Sequence, residues 1–337
     1  MWWIWLLYVL CLIIVIFVSN RIGGIVDALD KKTKLSGAFL GAVLLAGVTS
    51  LPELVTSFTA ALMNEPDMTL GNILGSNVFD VAIIGFLMIL YCTRIKHRNV
   101  CRANIIFDIF VLAISVLVLI TTIFNVQIVI PYLNINILTP IIIALYAFAI
   151  FSTRKANDPE DDDENELGDT QNKFEHLSVK SLVLQFILLA VVLVGVSVAI
   201  TFISEYLADT YGLGKGLAGA LFLGIATSLP EIISSFALVR LGNFDAAYGN
   251  IIGSCMFNYA VLALSDILYF KGTVFMTDMQ SLILAVCLVA GTTFMLVFGL
   301  IRRGKSKLKN SLPFQIVSGA LIAIAYITFL ILSTTII

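Results

Sequence analysis

Glu53 and Glu231 each follow a proline and close the same five residues, T-S-L-P-E, in two stretches of otherwise apolar chain. The first stretch reads G-V-T-S-L-P-E-L-V-T-S from Gly47, then G-N-I-L-G-S-N-V-F-D from Gly71. The second reads I-A-T-S-L-P-E-I-I-S-S from Ile225, then G-N-I-I-G-S-C-M-F-N from Gly249. Glu53 to Glu231 and Ser76 to Ser254 are both separations of 178 positions, so the intervals inside each copy are identical and the chain carries a duplication. An acid at membrane depth costs at least ~2.5–3.5 kcal/mol on insertion scales, which makes two symmetric ones a functional signal.

The chemistry these residues offer is oxygen coordination. Thr49, Ser50, Thr227 and Ser228 put hydroxyls one turn from each glutamate, and Asp80 in the first copy has Asn258 at its equivalent position in the second. Ser76/Asp80 and Ser254/Asn258 are i, i+4 pairs, so each pair shares a helix face. Pro52 and Pro230 cannot donate to the carbonyl four residues back, which frees the carbonyls of Val48 and Ala226. In a membrane such carbonyls are tolerated where they line a cation site. Carboxylates, an amide, hydroxyls and carbonyls suit a hard cation, and Ca2+ takes about 6–8 of them in flexible geometry. Sulfur and imidazole, which softer metals favour, are missing apart from Cys255, which stands where the first copy has Asn77 and reads as a packing residue. Fully ionised, the three acids could neutralise one Ca2+ or three Na+. Gly71/Gly75 and Gly249/Gly253 are small-xxx-small patches that let helices approach closely.

The elements that must position these groups are membrane helices. The 337 residues are 59% hydrophobic and 12% charged, about half the charge of a soluble domain, so much of the surface must face lipid. At about 20 apolar residues per crossing, ten spans are expected, near 2–19, 36–62, 70–92, 104–124, 134–153, 179–204, 216–240, 247–269, 279–301 and 313–334. All but two of the 20 lysines and arginines fall in or beside the odd-numbered connections; Lys215 and Lys271 are the two others. The positive-inside rule then puts both termini outside and the odd connections in the cytoplasm. The first span has no basic segment before it and no small-residue cleavage site after it, so it reads as a retained helix. Five scattered cysteines without a C-x-x-C pair argue against a disulfide framework or a zinc site.

Five spans separate equivalent helices, and five is odd, so the two halves are inverted relative to each other. Such inverted repeats are typical of secondary transporters, with the site at the repeat interface near the midplane. The expected fold is an all-α polytopic membrane protein of ten transmembrane helices in two inverted five-helix repeats, with broken helices 2 and 7 at the central site. The first repeat covers 1–153, its signature segment about 37–84. An acidic cytoplasmic linker covers 154–178, and the second repeat 179–337, its signature about 215–262. The run Asn157 to Asp169 in the linker reads as solvated chain; it lacks the Gly-centred spacing of an EF-hand, and Ca2+ sensing is its alternative.

With these motifs the sequence resembles the sodium/calcium exchanger family of the cation/Ca2+ exchanger superfamily, prokaryotic-type, over essentially the whole chain. The resemblance implies a central diamond of Glu53, Glu231, Asp80 and Asn258, assisted by Thr49, Ser50, Ser76, Thr227, Ser228 and Ser254. It departs from the family's prokaryotic pattern in one respect: the aspartate is in the first half here and the amide in the second. The implied activity is Na+/Ca2+ exchange by alternating access, the ions competing for one midplane carboxylate site and spans 1 and 6 sliding on the rest. A Ca2+/H+ antiporter of the same fold is the alternative, and K+-dependent exchange a lesser variant. The proton-coupled branch carries a G-N-x-x-E-like motif with a neighbouring histidine; here the only histidines, His97 and His176, lie in connections. No cofactor, nucleic acid or protein partner is implied, only Ca2+, Na+ and the bilayer, most simply a plasma membrane. No H-E-x-x-H or G-x-S-x-G points to an intramembrane enzyme, and a closed ligating site argues against a passive channel. Asp108, Glu205, Asp209 and Asp266 read as interface or pathway-rim residues.

Overall fold

The protein is described by a computed structural model that covers residues 2–33, 49–95, 98–126, 128–131, 135–154, 174, 176–240, 244–275, 279–304, 308 and 311–335. The described chain is helical apart from a two-residue β pair. The first half contains α1 (Trp2–Thr33), α2 (Leu51–Leu62), α3 (Pro66–Leu90), α4 (Arg102–Phe124) and α5 (Leu138–Arg154). The second contains α6 (Val179–Tyr211), α7 (Lys215–Arg240), α8 (Phe244–Leu268), α9 (Met279–Arg303) and α10 (Leu312–Thr335). Eight of these are long and apolar enough to cross a bilayer; α2 and α5 are the shorter apolar helices. Residues 34–48, which include Val48 and most of the expected start of the second span, lie outside the described residues, as does the acidic segment 155–173.

Of the edges that differ from the hydropathy reading, two have a visible cause. The helix that begins the chain runs on to Thr33, well past the apolar stretch that ends near residue 19. Hydropathy marks where lipid stops, not where a helix stops: past the apolar stretch, Ile25 and Ala28 of α1 pack on Leu182, Phe174 and Leu177. The fifth span starts at Leu138 rather than near 134, because Ile135 and Asn136 pair antiparallel with Val129 and Ile130. Asp266 ties this hairpin to α8, accepting from the Asn136 N–H at 2.8 Å, the Thr273 hydroxyl at 2.7 Å and the Val274 N–H at 2.9 Å. It locks these loops to α8, an interface role.

The core is built on α3 and α8, which carry few exposed positions and pack on each other and on α2, α4, α7, α9 and α10. Close approach requires glycine at the crossing of α3 with the start of α7. A Cβ on Gly71 would lie 2.1 Å from the Gly216 carbonyl oxygen, and one on Gly219 would lie 2.3 Å from that of Met68. The two backbones are in contact there, and any side chain would force them apart. In this contact region residues 219–223 form a π turn, which interrupts α7 one turn ahead of T-S-L-P-E. Wide turns of this kind leave main-chain carbonyls outside the regular helical pattern and often sit at functional sites. The Tyr8 hydroxyl of α1 donates to the Phe222 carbonyl at 2.5 Å. By contrast α1 and α6 lie at the periphery, packed on each other and against α2 and α7, with Leu6, Ile13, Phe17, Leu184 and Val191 exposed. These are lipid-facing surfaces.

Candidate cation site

The duplicated motifs meet in the middle of the bundle. Glu53, Asp80, Glu231 and Asn258 have no exposed surface, nor do Ser50, Ser76, Thr227, Ser228 and Ser254, while Thr49 is 4% exposed. Pro52 lies in the first turn of α2, where a missing N–H costs nothing, and presents Glu53 at the helix start. Pro230 lies inside α7 and offers no N–H to the buried Ala226, whose carbonyl is thereby released. The release expected at Val48 falls on a residue outside those described.

Glu231 is met by one hydroxyl from each repeat. Ser50 donates to Glu231 Oε1 at 3.0 Å, and Ser254 donates to the same oxygen at 3.1 Å; the two hydroxyls stand 2.5 Å apart. Thr49 also acts on Glu231, and its repeat mate Thr227 acts on Glu53. Ser228 faces Asp80. The two-fold relation is incomplete, because Ser76 turns away from the carboxylates toward Thr227 Oγ1 and the Gly224 carbonyl, both at 3.3 Å. Of the expected hydroxyls, Ser76 is therefore the one that touches the carboxylates only through another hydroxyl.

Asn258 donates its amide to Asn77 Oδ1 at 2.9 Å, which leaves its own carbonyl oxygen for the site. Asn77 in turn donates to the Cys255 carbonyl at 3.3 Å, and the Cys255 thiol lies 3.9 Å from the Asn77 carbonyl. Asn77 and Cys255 are repeat mates, so α3 and α8 cross where the pseudo-two-fold axis passes. Cys255 is a packing residue, as expected; the role of Asn77 was hidden by it, since the pair has no symmetry in residue type.

Seven buried side-chain oxygens here lack a hydrogen-bond partner: both of Glu53, both of Asp80, Glu231 Oε2, Asn258 Oδ1 and Ser228 Oγ. Carboxylate oxygens only accept, and burying them unmatched in a low-dielectric interior is strongly unfavourable. The three acids also repel one another, and no cation is among the groups that act most strongly on them. Such a constellation calls for a positive charge. Among the described residues no three Asp, Glu, His or Cys side chains close on one point, so hydroxyl, amide and main-chain oxygens must supply part of any coordination shell.

A second layer was not singled out from the sequence. Asn72 donates to Thr56 Oγ1 at 3.0 Å and Ser57 Oγ at 2.8 Å. Its repeat mate Asn250 donates to Ser234 Oγ at 2.9 Å and Ser235 Oγ at 3.1 Å. These clamps fix α2 on α3 and α7 on α8 one turn from Ser76 and Ser254. The signal was present: the asparagine of G-N-x-x-G-S and the hydroxyl pair after each glutamate repeat at the same 178 positions. At the end of the bundle near Lys215, that lysine pairs with Asp209 at 2.9 Å, Glu205 at 3.6 Å and Glu65 at 3.7 Å. Burial raises the Glu65 carboxyl above its ordinary range, with Lys215 opposing the shift.

Inverted helical repeats around a buried, oxygen-lined, acidic centre define a membrane transporter of the antiporter class. The description "Sodium/calcium exchanger protein" matches residues 3–153 and 181–335, and the chain belongs to that family. It is 25% identical over 260 residues to the inner membrane protein YrbG of Escherichia coli (strain K12), covering 76% of this chain and 77% of that one. Its fold resembles that of the crystal structure of the H+/Ca2+ exchanger CAX, with a TM-score of 0.69, 15% identity and coverage of 98% and 88%. It also resembles that of the sodium-calcium exchanger NCX_Mj, with a TM-score of 0.59, 18% identity and 95% coverage of both chains.

Proposed function

We propose that the protein is a Na+/Ca2+ exchanger that binds Ca2+ or Na+ at Glu53, Glu231, Asp80 and Asn258 and moves them by alternating access. The observation that carries this reading is the set of unpartnered buried oxygens on both repeats, acidic and all hard. Ser50, Thr49, Thr227, Ser228 and Ser254, with the Ala226 carbonyl, complete the shell; Ser76 orients Thr227. Ca2+ and Na+ compete because they need the same carboxylates. Without a cation, three mutually repelling charges oppose passage through an apolar interior, so the loaded states are the ones that switch access. The peripheral pair α1 and α6 slides along the remaining helices, linked to α7 through Tyr8. Both termini face outward, and the protein resides in the plasma membrane.

Na+ is favoured over H+ because the hydroxyls around the glutamates are ligands for Na+, and among the described residues no histidine stands at the site. The test is Ca2+ uptake into proteoliposomes loaded with Na+, compared with K+-loaded vesicles and with an imposed pH gradient. Uptake that requires internal Na+ and survives a protonophore is the expected result. Uptake driven by the pH gradient alone would replace Na+ by H+ as the coupled ion, with the same carboxylates as carriers.

A further inference from the structure

Among the described residues away from the central site, one other acid is wholly buried with an oxygen that has no partner. Asp108 sits on α4, two turns in from the helix start, with no exposed surface and with Oδ1 unmatched. Its Oδ2 shares a hydrogen bond with the Tyr248 hydroxyl of α8, and that hydroxyl lies 3.1 Å from the Met295 carbonyl of α9. The hydroxyl has one hydrogen and two acceptors. If Tyr248 gives it to a charged Asp108, a bare anion remains in an apolar interior. If Asp108 carries a hydrogen of its own, it donates to the Tyr248 oxygen, and Tyr248 donates onward to Met295. Only the second arrangement leaves no uncompensated charge.

The surroundings agree. Among the described residues, Asp245 and Cys255 of α8 and Cys101 at the start of α4 act electrostatically on this pair, and none of these three is a cation. On α9, Arg302 is two turns further along and spends its guanidinium on the Ile95 and Arg98 carbonyls. From α5, which packs on both α4 and α8, Tyr146 lies against the core, and the helix carries no charged residue before Arg154 at its end. Toward the helix ends, Asn104 lies one turn from Asp108 on the same face of α4 and donates to Asp245 Oδ1 at 2.9 Å.

We propose that Asp108 is a proton-binding site separate from the cation site, and that its proton holds α8 against α4 and α9 through Tyr248. Because α8 also carries Ser254 and Asn258, loss of this proton displaces ligands and weakens Ca2+ binding. Deprotonation of Asp108 weakens Ca2+ binding, so the wild-type affinity falls on the alkaline side.

The decisive measurement is an infrared pH titration of the purified protein, comparing wild type with Asp108→Asn. The wild type should show a carbonyl stretch of a protonated acid that the variant lacks. The side chain of Asp108→Asn imitates the protonated acid, so Ca2+ transport persists and only the alkaline limb disappears. On that limb the wild-type Ca2+ KM rises by up to about tenfold per pH unit, the limit for one linked proton. Tyr248→Phe keeps the acid but removes its acceptor, which should move the band to higher frequency. Identical wild-type and Asp108→Asn spectra, an unmoved band in Tyr248→Phe, or an alkaline limb that survives Asp108→Asn would overturn the assignment. The spectra do not depend on which ion drives Ca2+ transport.

Discussion

At the residue scale, function rests on which buried oxygen has a donor and which does not. Ser50 and Ser254 satisfy one oxygen of Glu231 and leave the other, while both oxygens of Glu53 stay open. Neutral glutamine at either position removes charge but keeps shape. Glu53→Gln and Glu231→Gln should each abolish Ca2+ uptake with melting temperature nearly unchanged; uptake at the wild-type rate by either purified variant would remove these residues from the site. Asn77 works one step away. Its acceptor oxygen fixes which end of the Asn258 amide meets the ion, and a buried hydrogen bond contributes about 0.5–1.5 kcal/mol. Asn77→Ala should therefore raise the Ca2+ KM by up to about tenfold with a smaller effect on maximal rate, since 1.4 kcal/mol is a factor of ten. A KM that does not move would mean Asn258 is oriented by other groups.

At the element scale, each half uses the same joint, an asparagine on the second motif helix clamping two hydroxyls on the first. Asn72 and Asn250 carry these joints in the two repeats. Removing one clamp leaves two buried hydroxyls without their donor, at about 1–3 kcal/mol. Asn72→Ala and Asn250→Ala should lower thermal stability by similar amounts in detergent, because the joints are equivalent. A large loss in only one would show that the halves are not mechanically alike. Crossing α3 over the start of α7 is stricter: a Cβ at Gly71 or Gly219 meets a carbonyl oxygen well inside contact distance. Gly219→Val should prevent assembly of the α3–α7 contact, read as loss of monodisperse protein on size exclusion. That α3 makes a close helix contact was legible from Gly71/Gly75; that its neighbour is the start of α7, and that 219–223 forms a π turn, was not, since nothing local in G-A-L-F-L requires it.

At the scale of the whole molecule, a core of α2–α5 and α7–α10 faces a peripheral pair, α1 and α6, whose apolar surfaces look outward. The asymmetric placement of Lys and Arg predicts a cytoplasmic linker between the halves. A protease site inserted in the linker 155–173 should be cut in inverted vesicles and protected in right-side-out ones. The reverse pattern would turn the molecule over and exchange its inner and outer pathways, leaving the central site unchanged.

Sequence alone was enough to establish ten apolar spans, the inverted duplication, and an inventory of hard oxygen ligands around two prolines. These properties are carried by hydropathy, by a constant offset and by residue type, none of which needs a neighbour from another helix. Tertiary structure alone decided how the inventory is spent: Ser76 on Thr227, Ser254 on Glu231, Asn77 on Asn258, and Asp108 on Tyr248. Each of these bonds joins residues on different helices. In lipid a helix is apolar on its outer and inner faces alike, so its pattern does not report its rotation or depth against a neighbour. That information resides in glycine contacts and buried hydrogen bonds, which exist once the helices are packed.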